Sequence, residues 1–178
     1  MWYWFLVTLA AVAAVFTIVV AMRPNQFRVH RSISIAAPPS RVFALVNDFH
    51  NWQQWSPWAK LDPTMKEAFD GPTAGAGAQY HWNGNKQVGE GRMTLTDSRP
   101  SSAIHIELEF LRPFASKSEV DFTFEPAGGE TSVTWSMTGN HSFVSKAFCM
   151  FMNMDAMVGK DFEKGLAQLK SLAEAAQS

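Results

Sequence analysis

The feature that most restricts the fold of this chain is a series of segments in which apolar and polar residues alternate. Five such segments lie between residues 78 and 138, and short turns such as Asn83-Gly84-Asn85 separate them. A period of two is typical of strands that bury one face and expose the other. Because consecutive strands joined by short turns pair with their neighbours, the pattern predicts an antiparallel meander of five or six strands with one apolar face.

Two shorter patterns precede the meander. Residues 29–36 alternate between apolar and polar side chains, interrupted only by Arg31, and predict one more half-buried strand. Pro38 and Pro39 are typical of a helix start, and the apolar residues up to Val46 predict a short helix that a second short turn follows.

The period changes in the last part of the chain. From Phe143 to Leu172, apolar residues that include Phe151, Phe162 and Leu166 recur every three or four positions. This spacing predicts one amphipathic helix of about 30 residues, whose apolar stripe needs a large partner surface. The apolar face of the meander has the matching size, so the order of elements indicates an α+β protein in which the helix crosses the sheet.

Long stretches of the sequence resemble one protein superfamily. The segments APPSRVFALVNDFHNWQQWSPW, FDGPTAGAGAQYHWNGNKQVGEGRMTLTDSRP and FMNMDAMVGKDFEKGLAQLK are similar to the polyketide cyclase/dehydrase-like branch of the START-like (SRPBCC) superfamily. That superfamily also contains lipid-transfer START domains and birch-pollen-allergen-like proteins, and the similarity covers nearly all of residues 27–174. The resemblance implies a helix-grip fold, in which an antiparallel sheet wraps around a long C-terminal helix and encloses a deep apolar pocket. It implies no shared set of catalytic residues.

An uncharged apolar segment occupies residues 2–22 and predicts a membrane anchor. At ~1.5 Å per residue its helix would be about 31 Å long, close to the hydrocarbon thickness of a bilayer. Trp2 and Trp4 would lie in the aromatic belt at one interface. The alternative is a cleaved signal peptide, which has a basic start and a shorter apolar core, whereas no Lys or Arg precedes Arg23.

These segments divide the chain into an anchor at residues 1–22 and one START-like domain at residues 23–178. Arg23, Arg28 and Arg31 all follow the anchor, so the positive-inside bias places the domain on the cytoplasmic side of the membrane. We therefore expect a single-pass membrane protein whose domain is monomeric.

The composition excludes several classes of function. The chain has 15 Lys+Arg against 16 Asp+Glu, and this balance leaves no basic surplus for binding nucleic acid. Cys149 is the only cysteine, which rules out a disulfide within the chain and a zinc site made of cysteines. The motifs H-E-x-x-H, C-x-x-C and G-x-S-x-G are absent from the sequence, so we expect neither a metal nor a cofactor.

Aromatic and methionine side chains are the candidates for a ligand surface. The motif Trp52-x-x-Trp55-Ser56-Pro57-Trp58 would close one mouth of the pocket, or it could instead be a plug in the core. The concave strand face and the adaptable methionines of the helix would supply the rest, although each of them could also belong to an ordinary core. The predicted ligand-binding residues are Trp55, Trp58, Tyr80, Trp82, Leu108, Phe110, Trp135, Met137, Met150, Met154 and Met157.

Few polar residues are candidates for catalysis, and this favours a binding function over an enzymatic one. Glu67 has the same parity as Met65 and Phe69, so its carboxylate could point into the cavity as an acid or base, or it could bend outward from an edge strand. The sequence favours a membrane-anchored module that binds an apolar small molecule or lipid. The alternatives are an enzyme of the cyclase, dehydratase or isomerase type in the same pocket, and an accessory subunit of a membrane complex.

Overall fold

The computed structural model describes residues 2–141, 143–150 and 153–175. The helices are α1 (Trp2–Ala21), α2 (Pro39–Asn47), α3 (Trp52–Trp55), α4 (Phe143–Cys149) and α5 (Met154–Ala175). A 3-10 helix (Phe49–Asn51) leads directly into α3. The strands are β1 (Gln26–Ile35), β2 (Lys66–Asp70), β3 (Gln79–Asn83), β4 (Glu90–Arg99), β5 (Ala103–Arg112), β6 (Ser116–Ala127) and β7 (Glu130–Asn140).

The strands form one antiparallel sheet in the order β1-β7-β6-β5-β4-β3-β2. Strands β2 to β7 follow one another as a meander of six strands, and β1 adds to it by pairing with β7, from Gln26 opposite Asn140 to Ile35 opposite Thr131. Helices α2, α3 and α5 contribute buried apolar residues to the core on the concave face. The predicted α+β helix-grip fold, with an antiparallel sheet around a C-terminal helix, is confirmed.

The strand connections define two ends of the sheet, which we call the proximal and the distal end. The proximal end carries the start of β1, the end of β7 and the β3–β4 and β5–β6 connections. The distal end carries the β2–β3, β4–β5 and β6–β7 connections. Helix α1 leads into β1 through residues 22–25, so its C-terminus lies beside the proximal end. There Val20 is fully buried, and the carbonyl of Ala21 accepts a hydrogen bond from Lys146 of α4 at 3.5 Å.

The middle of the concave face is filled by aromatic side chains. The ring of Trp135 on β7 stacks on Phe162 of α5, with centroids 4.0 Å apart and planes inclined by 7°. Trp55 of α3 meets Trp135 edge-on at 5.7 Å, and Phe122 of β6 stacks on Trp135 at 5.0 Å. Aromatic pairs in these geometries stabilise a core beyond the area they bury. This aromatic cluster joins α3 and α5 to the sheet.

Arg31 interrupts the apolar pattern of β1 because it holds α5 in place. Its guanidinium donates hydrogen bonds to Asp155 at 3.1 Å and to Glu163 at 2.8 Å. Gly159 lies between these carboxylates on the helix, and a side chain there would collide with the guanidinium. The hydrogen bonds from Arg31 also lower the pKa of Asp155. Further along, the carboxylate of Glu174 accepts a hydrogen bond from a backbone amide after β1, so α5 runs beside this strand.

The C-terminal region forms two helices, so the prediction of one long helix was wrong. Helix α4 ends at Cys149, and α5 begins at Met154 with the side chain of Asn153 accepting a hydrogen bond from the amide of Ala156 at 3.1 Å. An asparagine in this capping position starts a new helix, because it satisfies an amide that otherwise lacks a partner. Phe151 of the predicted stripe lies outside the described residues. The buried face of α5 consists of Gly159, Phe162, Gly165, Leu166, Leu169 and Ala173.

Candidate functional site

The concave face changes from fully buried to half-buried along its length. On β7, Val133 and Trp135 are buried, whereas Met137 keeps part of its surface exposed. On β5, Ile104 and Ile106 are buried, whereas the next residues of the same parity, Leu108 and Phe110, are half-buried. The more exposed positions are those nearest the proximal end. The core is therefore tightly packed in the middle and at the distal end, and it opens toward α1.

We call this open part of the concave face the proximal groove. Trp82 of β3 lies beside Phe110, with ring centroids 5.6 Å apart. Trp58, from the loop after α3, is half-buried and meets the edge of the aromatic cluster at Trp135 and Phe162. The apolar residues that define the groove are Phe27, Trp58, Met65, Trp82, Leu108, Phe110 and Met137.

Small residues make room for two of the large rings in the groove. A side chain at Gly91 would have its Cβ 2.5 Å from Cζ2 of Trp82, so the indole lies directly on the backbone of β4. At Gly139 a Cβ would lie 2.8 Å from the ring of Phe27, and beside it Ser118 is buried. Glycine is used in a strand interior where another group must approach the backbone closely. Gly91 and Gly139 thus let Trp82 and Phe27 lie against the backbone of the sheet.

The tryptophan motif divides between the core and the groove. The indole of Trp52 donates a hydrogen bond to the carbonyl of Val46 at 2.9 Å, and that of Trp55 donates to Leu45 at 3.1 Å. Both rings are buried and tie α3 to α2. Trp58 alone of the three stays half-buried at the groove. Trp55, like Trp135, therefore lies in the packed core, and its contact with a ligand stays a prediction.

The three predicted methionines have different positions. Met154 in the first turn of α5 is half-buried, and Met150 in the turn after α4 is also half-buried. Met157 is exposed and points away from the aromatic cluster that Phe162 contacts. Within the predicted stripe, Phe162, Leu166 and Leu169 therefore form the part that packs on the sheet, and Met157 does not. Met150 and Met154 lie toward the proximal end, where a ligand role for them stays a prediction.

Sequence reasoning missed two groove residues, Phe27 and Met65. Phe27 has the same parity as Val29, but the predicted strand began only at residue 29, whereas β1 begins at Gln26. Met65 directly precedes β2, which is a short strand at the edge of the sheet. An earlier start of the β1 pattern was the signal that could have identified Phe27.

Glu67 belongs to a polar cluster at the edge of the sheet. It lies opposite Trp82 in the β2–β3 register, and its carboxylate accepts hydrogen bonds from the hydroxyl of Tyr80 and the side-chain amide of Gln53. Burial and, second, the hydrogen bond to Glu67 raise the pKa of Tyr80 above its usual range. Tyr80 is thus a neutral donor that orients the carboxylate. A catalytic role for Glu67 stays a prediction.

A separate small cleft lies between the 3-10 helix and the β2–β3 hairpin. Its volume is about 190 Å³. His50 stacks on Phe69 at one wall with centroids 4.1 Å apart, and Asp70, Thr73 and Gln79 contribute polar groups. This volume is below the ~300–1,000 Å³ usual for drug-sized ligands. The cleft lies toward the distal end and contains none of the predicted ligand residues.

The described part of the chain brings together no three His, Cys, Asp or Glu side chains in an arrangement that could hold a metal ion. The half-buried surface of the groove is made by aromatic, leucine and methionine side chains. Chemically, such a surface suits an apolar group that is bound by shape and burial.

Comparison with known proteins connects this arrangement to a family. The sequence model of the family described as polyketide cyclase / dehydrase and lipid transport matches residues 26–174. The matched span begins at the first residue of β1 and includes the whole sheet, whereas α1 lies before it. None of the curated proteins compared with the chain matches its sequence.

Solved structures share the fold at low sequence identity. The solution structure of the Aha1 dimer from Colwellia psychrerythraea has a TM-score of 0.61 at 15% identity, covering 85% of this chain and 99% of that one. The crystal structure of protein CV1439 from Chromobacterium violaceum has a TM-score of 0.56 at 17% identity, with the same coverage of 85% and 99%. The crystal structure of Ara h 8.0201 has a TM-score of 0.58 at 13% identity and covers 84% of this chain and 99% of its own. At identities of this size the likeness concerns the fold alone.

Proposed function

The chain belongs to the polyketide cyclase/dehydrase and lipid transport family, and we propose that it is a membrane-anchored module that binds an apolar small molecule or lipid in the proximal groove. The observation that carries this proposal is the gradient of burial along the concave face. Leu108, Phe110 and Met137 stay half-buried, whereas residues of the same parity further along their strands are fully buried. Apolar surface left open beside a packed core favours an apolar ligand, since its burial contributes about 25 cal/mol per Å².

The side chains of the groove indicate how a ligand would be held. Phe110 and Trp82 offer flat aromatic surfaces, and Met137 can adjust its shape because it has several rotatable bonds. Trp58 separates the groove from the filled aromatic cluster, so the bound group would occupy the proximal part of the space between sheet and helix. A ligand held in this way is selected by its size and its apolar character.

Helix α1 supports the membrane part of the proposal. It has 20 residues, of which a window of 18 has a mean hydropathy of 2.5, and it is long and apolar enough to cross a membrane. The hydroxyls of Thr8 and Thr17 donate hydrogen bonds to the carbonyls of Trp4 and Ala13, at 2.8 and 2.9 Å. These bonds satisfy the two hydroxyl donors inside the helix, as the absence of water in the hydrocarbon layer requires.

We place the domain on the cytoplasmic side. Arg23 and Arg28 follow α1 and are exposed, and such residues are retained on the cytoplasmic side of a bilayer. Arg31 is bound to α5 by two carboxylates, so the orientation depends on the other two arginines. An apolar ligand could then pass between the bilayer and the groove over a short distance.

We propose binding rather than catalysis in the groove. An enzyme of the cyclase or dehydratase type needs polar groups that converge on the reacting atoms. The predicted candidate, Glu67, is engaged by Tyr80 and Gln53 at the edge of the sheet. The half-buried positions at the centre of the groove are apolar.

A photoactivatable fatty acid tests this proposal on the full chain in lipid nanodiscs. After illumination, cross-linked peptides are mapped by mass spectrometry. We expect cross-links on α1, which contacts lipid directly, and also on the β5 and β7 peptides that contain Leu108 and Met137. Cross-links confined to α1 would contradict binding in the groove.

A matched pair of variants locates the site. Leu108→Trp should fill the groove and remove most of the cross-links on β5 and β7. Glu107→Trp adds the same side chain at the neighbouring exposed position, on the opposite face of the strand, and should leave them unchanged. If both variants retained the cross-links, the fatty acid would not be bound in the groove.

A further inference from the structure

We infer that the proximal end of the domain is a membrane-docking surface, which inserts Leu111 and Phe114 into the lipid interface and holds the open groove against the bilayer. This inference rests on the proposed function, because it requires α1 to lie in the membrane. It adds a second membrane contact, made by the domain itself.

Exposed apolar side chains are concentrated at the proximal end of the sheet. Beyond α1 and Met22, the large apolar residues that the described structure leaves exposed are Phe114 at 76%, Phe143 at 50%, Met157 at 47%, Leu111 at 45% and Leu61 at 44%. Leu111 is the second-last residue of β5, Phe114 lies in the β5–β6 connection, and Phe143 follows the end of β7. The carbonyl of Leu61 accepts a hydrogen bond from Asn85 in the β3–β4 connection. Four of these five residues, all except Met157 of α5, therefore lie at the proximal end.

The distal end provides the contrast. Its connections contain Pro72 and Thr73 between β2 and β3, Ser101 and Ser102 between β4 and β5, and a Gly-Gly turn between β6 and β7. Small and polar residues of this kind are usual in turns that face water. Exposed apolar side chains are thus not found at the turns of both ends of this sheet. They occur at the end that α1 leads into.

The charges at the proximal end fit a membrane with anionic lipids. Arg23, Lys86 and Lys117 are exposed at the proximal end, where Lys117 pairs with Glu109 at 3.4 Å. Arg112, the last residue of β5, adjoins Leu111 and pairs with Glu90. Basic residues beside exposed aromatic and leucine side chains are typical of surfaces that lie in the lipid interface, since each contributes attraction to anionic headgroups.

The anchor α1 places the proximal end beside the lipid bilayer. Helix α1 ends four residues before β1, and its last turn contacts α4, which begins with Phe143. If α1 is in the bilayer, the proximal end therefore lies at the lipid headgroups. The side chain of Phe114 is 76% exposed, so its transfer out of water would lower the free energy. The nearest apolar phase is the bilayer interface.

The test uses a fluorescent NBD label on single cysteines in the full chain, placed in nanodiscs that contain anionic lipid. Cys149→Ser removes the native thiol, and labels are attached in Phe114→Cys, Leu111→Cys, Ala127→Cys and Val12→Cys variants. Ala127 lies at the distal end of the same strand that follows Phe114, so it is the matched control, and Val12 reports the anchor. Each label is challenged with a lipid that carries a quencher near its headgroup or in its chain, and with aqueous iodide.

We expect the labels at 114 and 111 to be quenched severalfold more by lipid quenchers than the label at 127, which iodide alone should quench. Unchanged near-ultraviolet circular dichroism confirms that each variant is folded. If the labels at 111 and 114 respond to iodide as the label at 127 does, while the label at 12 is quenched by lipid, the docking surface is refuted and the anchor stands. Quenching by neither reagent at 114 indicates a contact with protein and also refutes it. If lipid does not quench the label at 12, both the anchor and this inference fail.

Discussion

Replacing Phe162 by alanine should reduce the free energy of unfolding by about 3–4 kcal/mol. The side chain is only 1% exposed, and its ring stacks on Trp135 at 4.0 Å and meets Trp58 at 6.4 Å. Truncation of a buried phenylalanine costs about 3–5 kcal/mol, of which the aromatic pairing accounts for ~0.5–1.5 kcal/mol. The better helix propensity of alanine returns roughly 0.5 kcal/mol.

The assay is urea unfolding of the full chain in nanodiscs, followed by near-ultraviolet circular dichroism, because this signal reports the packed tryptophans of the domain. Met157→Ala is the control on the same helix. Its side chain is 47% exposed, so the free energy of unfolding should change by no more than about 0.5 kcal/mol. If Met157 faced the sheet in place of Phe162, Met157→Ala would cost more than Phe162→Ala. That order would refute the description of how α5 packs.

Two further predictions concern titratable groups. Burial lowers the pKa of His105, but its hydrogen bond to Asp121 and the charge of Glu119 outweigh burial and raise the pKa overall. Protonated His105 therefore stabilises the folded state below about pH 6.5, and this stabilisation is lost as the pH rises through the folded-state pKa. Urea unfolding should therefore show a larger loss of stability above about pH 6.5 in the wild type than in His105→Gln, and equal losses would contradict the ion pairs at 2.6 and 2.9 Å. Glu67→Gln should lower the pKa of Tyr80 part of the way toward its ordinary value of about 10, because the buried ring keeps its desolvation but loses the carboxylate. An alkaline absorbance titration in a Tyr3→Phe background measures this, and an unchanged tyrosine pKa would mean that the hydroxyl does not bond to Glu67.

The sheet could be predicted from the sequence because strand faces follow directly from a period of two. Trp135 and Met137 share a face for this reason, as predicted. The role of Arg31 could not be predicted in the same way, since its partners Asp155 and Glu163 lie more than 120 positions later in the chain. A local pattern shows only that a charge interrupts an apolar face.

The sequence pattern could not predict which residues belong to the core and which to the groove, for a different reason. Trp55 and Trp58 stand in one motif, yet one is fully buried and the other half-buried. Their difference depends on how much of the space between sheet and helix is filled, and this depends on side chains from α3, α5 and several strands together. Periodicity gives the face on which a residue lies, but the depth of packing on that face is a property of the whole core. The same limit applies to the methionines, because Met154 and Met157 belong to one apolar stripe with Phe162, yet only Phe162 is fully buried.

Native mass spectrometry of the full chain, gently extracted from the membranes of its own cells, tests whether the proximal groove holds an apolar ligand. We expect an apolar molecule retained on the folded chain at one copy per chain, released on unfolding, and strongly reduced in Leu108→Trp but not in Glu107→Trp. A chain that carries no such molecule in any of the three forms would contradict an apolar ligand in the proximal groove.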